Sequence, residues 1–66
     1  MIIKDFTKPE LDNFRQNCNF VGNEIQVFEL RSAGISLEVI AEVLNLSNDS
    51  VKKISRKVNK KIIKVL

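Results

Sequence analysis

The sequence predicts an all-α fold, a small four-helix domain that contains a helix-turn-helix, and three observations point to it. Glycine and proline are scarce, two and one in 66 residues, which disfavours a turn-rich β architecture. Helix-start signals recur, each followed by apolar residues three and four apart. The charge is divided unevenly along the chain. Val51 to Leu66 carries seven Lys/Arg and no acid, whereas the first fifty residues carry four Lys/Arg against eight Asp/Glu. One basic terminal element on a mildly acidic body gives the net charge of +3. That is the electrostatic footprint of a helix that meets a polyanion, presented by a small scaffold.

The elements follow in order. Residues 1–7 are a short lead-in with Ile2, Ile3 and Phe6 as its apolar members. Thr7 and Glu10 have capping-box spacing, Pro9 falls in the first turn, and Phe6 and Leu11 stand at the positions of a hydrophobic staple. These signals start a helix over 8–17 whose apolar face is Leu11, Phe14 and Cys18. A second helix runs from about Gly22 to Ala33. Its apolar positions Ile25, Val27, Phe28 and Leu30 cover a broad face, which predicts a central place. Gly34 then stands where a left-handed residue ends a helix.

Ser36 caps a third helix over 37–44, with Ile35 and Ile40 at staple spacing and Asn45 as its stop. Ser47 caps the fourth, and Asp49 in its first turn complements the helix dipole. At 100° per residue, Val51, Ile54, Val58, Ile62 and Val65 fall within one sector of about 80°. Lys52, Lys53, Arg56, Lys57, Lys60, Lys61 and Lys64 spread over roughly the opposite half. The expected core is Phe14, Phe20, Phe28, Ile40, Leu44, Leu46, Val51, Ile54 and Val58, with the carboxylates on solvated helix faces.

The whole chain reads as a single domain, 1–66, and as no enzyme. It has no His, Tyr or Trp, so Cys18 has no histidine to activate it and no Cys/His cluster can hold a transition metal. The predicted cofactor and metal content is none. Cys18 reads as a small core-lining residue beside Phe20. No signal peptide and no apolar run near twenty residues is present, so a soluble, cytoplasmic protein is expected.

The residues from Ile40 to Ile54 have helix-turn-helix spacing. Ile40 and Leu44 are the apolar residues of the first helix, Ala41 is small where the helices cross, Leu46 plugs the turn, and Val51 and Ile54 anchor the second helix. Residues 20–62 as a whole resemble the LuxR/GerE-type helix-turn-helix family, a relative of sigma-factor region four. The resemblance is carried by Glu24, Val27, Leu30, Gly34, Ser36, Ile40, Ala41, Leu44, Leu46, Ser47, Ser50, Val51, Lys52, Val58, Lys61 and Ile62. Val39 stands where that family usually has Glu, and an exposed apolar contact is expected from it. The helix over 8–17 is no part of the family core and is expected to take the place of the family's last helix.

The resemblance implies a small helical bundle that binds double-stranded DNA as a homodimer and regulates transcription. By position and resemblance together, Lys52, Lys53 and Arg56 are expected to face base edges, where they can donate to guanine O6 and N7. Ser47, Asn48 and Ser50 at the helix start, and Lys57, Lys60, Lys61 and Lys64 along it, are expected to meet phosphates. A run of lysines also suits a merely solvated face, and Asn48 and Ser50 also suit a first helical turn. A second class of function is a protein-interaction module, since region-four-like domains also bind RNA polymerase or another regulatory protein. A membrane-surface role fits less well, because Trp is missing and the apolar stripe is short.

Overall fold

The computed structural model describes residues 3–66, so Met1 and Ile2 of the lead-in lie outside the described residues. A 3-10 turn, Ile3–Asp5, precedes four helices: α1 (Lys8–Asn17), α2 (Asn23–Ser32), α3 (Leu37–Leu44) and α4 (Asn48–Val65). The fold class is all-α, with no strand among the described residues.

The starts of α1, α3 and α4 are made by the residues the sequence singles out. The Thr7 hydroxyl accepts from the Glu10 amide at 3.4 Å while the Glu10 carboxylate accepts from the Thr7 amide at 2.9 Å. That amide bond, then the Thr7 hydroxyl, holds the Glu10 carboxyl below its usual range. Ser36 and Ser47 accept from the amides of Val39 and Ser50. The start of α2 differs. Gly22 holds φ 56° and ψ −128°, a conformation open to glycine, and supplies no side-chain cap. The Glu24 carboxylate instead accepts from the Val21 amide at 3.1 Å.

The ends of α2 and α3 share one device. After α2, the Ile35 amide donates to the Leu30 carbonyl and the Gly34 amide to Arg31. After α3, the Leu46 amide donates to Ala41 and the Asn45 amide to Glu42. Both are Schellman motifs, with Gly34 at φ 86° in one and Asn45 at φ 57° in the other. Each turns the chain through a left-handed residue and sends the next apolar side chain, Ile35 or Leu46, back onto the core.

Two apolar clusters share Ile54 at their seam. One joins α3 to the first half of α4 through Val27, Ile40, Ala41 and Val51. The other joins the 3-10 turn and α1 to α2 and the second half of α4 through Ile3, Phe14, Cys18, Phe28, Val58 and Ile62. Its rings meet edge to face at Phe6–Phe14 and Phe14–Phe28, 5.0 and 6.5 Å between centroids. At about 1.5 Å per residue α4 is about 27 Å long, close to the domain's longest dimension of 29 Å. It is the spine against which every other helix packs.

The expected core differs in detail. Phe14, Phe28, Ile40, Val51 and Val58 are buried, but Phe20, Leu44, Leu46 and Ile54 are only half-buried. Phe20 lies in the α1–α2 loop and covers Phe28 from outside, 4.9 Å between ring centroids. Leu44 and Leu46 flank the turn after α3, where the domain is thin. Ile3, Cys18, Val27, Ala41 and Ile62, outside that expected core, are buried as well. Ile3 is buried through the 3-10 turn, and Ile62 extends the apolar stripe of α4 under α1. Helical periodicity alone assigns no cover to that end of the stripe. Ile62 and Val65 are covered, whereas Ile63 and Leu66 stay exposed.

Candidate nucleic-acid interface

One side of α4 is consumed by the core, with Val51, Val58 and Ile62 fully buried. The remaining surface carries the cations. Lys52, Lys53, Arg56, Lys57, Lys60 and Lys64 are all exposed. Among the described residues, none of the six makes an ion pair with a carboxylate. Spacing of four residues arranges them in two rows, Lys52–Arg56–Lys60–Lys64 and Lys53–Lys57, with Lys61 at the next position of the second. The rows run the length of a rigid, continuously packed helix. Six cations without a salt-bridge partner at that density make a face of the kind that suits a polyanion, although Lys57 also lies near enough to Glu24 to help lower its pKa.

Lys61 is set apart from them. Its ammonium donates to the Glu24 carboxylate and, at 2.6 Å, to the Asn19 carbonyl. The side chain is half-buried at the junction of α4 with the α1–α2 loop. Its charge is therefore occupied inside the molecule, where a phosphate contact had been expected. Glu24 in turn is 8% exposed, so not every carboxylate lies on a solvated face. The hydrogen bond from Lys61 holds the Glu24 carboxyl below its usual range, against the opposing effect of burial. Glu24 and Lys61 are 37 residues apart, and no local spacing announces the pair.

The helix start is built as expected but is partly engaged. The Ser47 hydroxyl donates to the Ser50 hydroxyl at 2.9 Å and accepts from the Ser50 amide at 3.1 Å. Ser50 is half-buried, and Asn48 is exposed. A hollow beside this turn is lined by Glu38, Ala41, Glu42, Asn45, Leu46, Ser47 and Asn48. Two carboxylates thus border the start of α4, and the cations of the helix begin further along it, at Lys52.

Other groups offer little chemistry. Cys18 is buried and its thiol donates to the Lys61 carbonyl at 3.4 Å. Burial pushes this thiol up, with Lys61 pulling the other way, which disfavours the thiolate. Among the described residues no group of His, Cys, Asp or Glu is placed to hold a metal ion. No helix among them is long and apolar enough to cross a membrane. Comparison with protein-family models, with curated proteins and with solved structures finds no match to this chain.

Proposed function

We propose that the chain is a helix-turn-helix regulator that binds double-stranded DNA, with α4 in the major groove. The observation that carries this reading is the division of α4 into a fully buried stripe and an opposite surface of six unpaired cations. The connection from α3 supports it. Only Asn45, Leu46 and Ser47 separate α3 from α4, and the Schellman motif at Asn45 gives the turn a defined direction. A short, fixed turn presents the second helix of such a pair to a groove. The likeness of residues 20–62 to LuxR/GerE-type domains agrees with it.

In this reading Lys52, Lys53 and Arg56 face bases and Lys57, Lys60 and Lys64 follow the phosphates. Ser47, Asn48 and Ser50 meet the backbone at the helix start, and Lys61 holds the scaffold. Replacing Arg56 by Ala is expected to weaken the preferred site by about 1–3 kcal/mol and random duplex little. Replacing Lys60 by Ala is expected to weaken both alike and to reduce the log-log salt slope by roughly 1. Titrations of both variants on both duplexes across a salt series check this. Equal loss on both duplexes for Arg56→Ala would reduce α4 to an electrostatic tether.

A homodimer is the second part of the proposal. Ile63 is 60% and Leu66 69% exposed at the end of α4, an apolar edge that a second subunit can cover. Sedimentation of the parent and of Ile63→Lys at high micromolar concentration should show association in the parent alone. A monomer in both ends the dimer reading.

One observation favours a rival. Val39 and Val43 are exposed one turn apart on α3. Beside them, Ile25, Leu30 and Leu44 line a shallow groove between α2 and α3. An apolar surface of this kind suits a protein partner, such as RNA polymerase or another regulator. Absence of duplex binding even at low salt would transfer the function to that surface.

A further inference from the structure

The acidic body holds four cations outside α4: Lys4, Lys8, Arg15 and Arg31. Arg15 is spent on Asp12 and Glu29. Two of the other three line one cleft, although they stand 27 positions apart in the chain. Lys4, Arg31, Gly34 and Ser36 line a cleft of about 300 Å³ between the 3-10 turn, the end of α2 and the start of α3. The Lys4 Cδ lies 3.7 Å from where a side chain on Gly34 would begin. Arg31 is fixed over the same turn by a bond from Nη1 to the Ile35 carbonyl at 3.2 Å, which leaves its other donors free to point elsewhere. Neither cation pairs with a carboxylate among the described residues. The nearest acid in sequence on α3, Glu38, lines the separate hollow toward α4.

Two cations from distant segments thus line one concave backbone turn, and no carboxylate stands among its lining residues. The geometry points to a phosphate-binding cleft formed by Lys4 and Arg31, with a duplex backbone phosphate as its ligand. The first amides of α3 add to it. Ser36 caps only Val39, which leaves the Leu37 and Glu38 amides available at the positive end of that helix. The inference rests on the duplex reading above. When the second helix of such a pair occupies the major groove, the first crosses the phosphate backbone, and Ser36 and Ser47 bracket that first helix at its two ends. The cleft would then anchor one end of the crossing and the first turn of α4 the other.

Lys4→Gln tests the cleft, because Lys4 is exposed and its loss opens no cavity. The variant should lower the log-log salt slope of duplex binding by about 1, equally on preferred and random duplex. Separately, inorganic phosphate at millimolar concentration should shift the Gly34, Leu37 and Glu38 amide resonances in the parent and not in Lys4→Gln. If duplex moves the α4 resonances while the slope and the phosphate response match between parent and variant, the cleft is overturned and the duplex reading stands. If no duplex binds but phosphate moves the cleft resonances in a Lys4-dependent way, the duplex reading fails. The site then stands as one for a free phosphate ester. If neither binds, both readings fall.

Discussion

Replacing Lys61 by Met is expected to destabilise the domain by about 2–3 kcal/mol, more than removal of any other lysine of α4. The methionine keeps most of the apolar stem but leaves the buried Glu24 carboxylate without its cation. Removing one partner of a fully buried pair costs about 3–5 kcal/mol, and the partial exposure of the Lys61 side chain, 30%, lowers that figure. In a 66-residue domain, whose margin is small, such a loss is visible in any melting curve. Glu24→Gln/Lys61→Met should recover most of it, because no buried charge remains and the Gln oxygen still accepts from the Val21 amide.

The pair also sets a pH dependence, and its sign is fixed by the depressed pKa of Glu24. A carboxyl lowered in the folded state stabilises fully above its unfolded value, about 4.3. That contribution is lost as pH falls through the folded value. Lys61→Met removes the largest of the influences that lower Glu24 and leaves desolvation opposed only by the Val21 amide and the Lys57 charge, so mild acid should narrow the gap between variant and parent. Urea unfolding of the three proteins at pH 7 and pH 4 measures both effects. A Lys61→Met protein as stable as the parent at pH 7 would return Lys61 to the surface cations.

Replacing Ala41 by Leu should cost about 2–3 kcal/mol, the upper half of the range for overpacking a tight core. Ala41 is 5% exposed, and its neighbours in the cluster, Ile40 and Val51, are fully buried. Its carbonyl also accepts from the Leu46 amide at 2.9 Å, so a shift of α3 strains the turn as well as the packing. Ala41 borders the hollow beside the turn but is almost wholly covered by its neighbours, so most of the added carbons push α3 away from α4. Thermal melting of Ala41→Leu checks this, with Ala41→Ser as the volume-matched control. A melting temperature equal to the parent's would mean that the two helices do not need their close approach. Duplex affinity of any folded fraction adds a second reading, since a changed crossing angle tilts α4 in the groove.

Most of the secondary structure was legible because its causes are local. Thr7, Ser36 and Ser47 cap through bonds that span three residues. Gly34 and Asn45 end helices through their own backbone preference. The stripe Val51–Val58–Ile62 is a matter of helical phase. Each of these is decided within a turn or two of chain, so neighbouring residue types suffice to read it. The six free cations of α4 follow from the same phase, because the face opposite a buried stripe is exposed.

What depended on tertiary structure is what depended on distance. Glu24 meets Lys61 because α2 and α4 pack side by side, and the same helical phase that exposes Lys60 turns Lys61 to the edge where Glu24 waits. Lys4 and Arg31 line one cleft because the 3-10 turn packs against α2. The half-burial of Phe20, Leu44 and Leu46, and the cover that Ile3 and α1 lend to Ile62, depend on how many neighbours each site finds in a thin domain. The residues alone determined which faces are apolar and which are charged. The packing alone decided which charges are spent inside the molecule and which remain for a ligand, because a charge's partner is chosen by proximity in space.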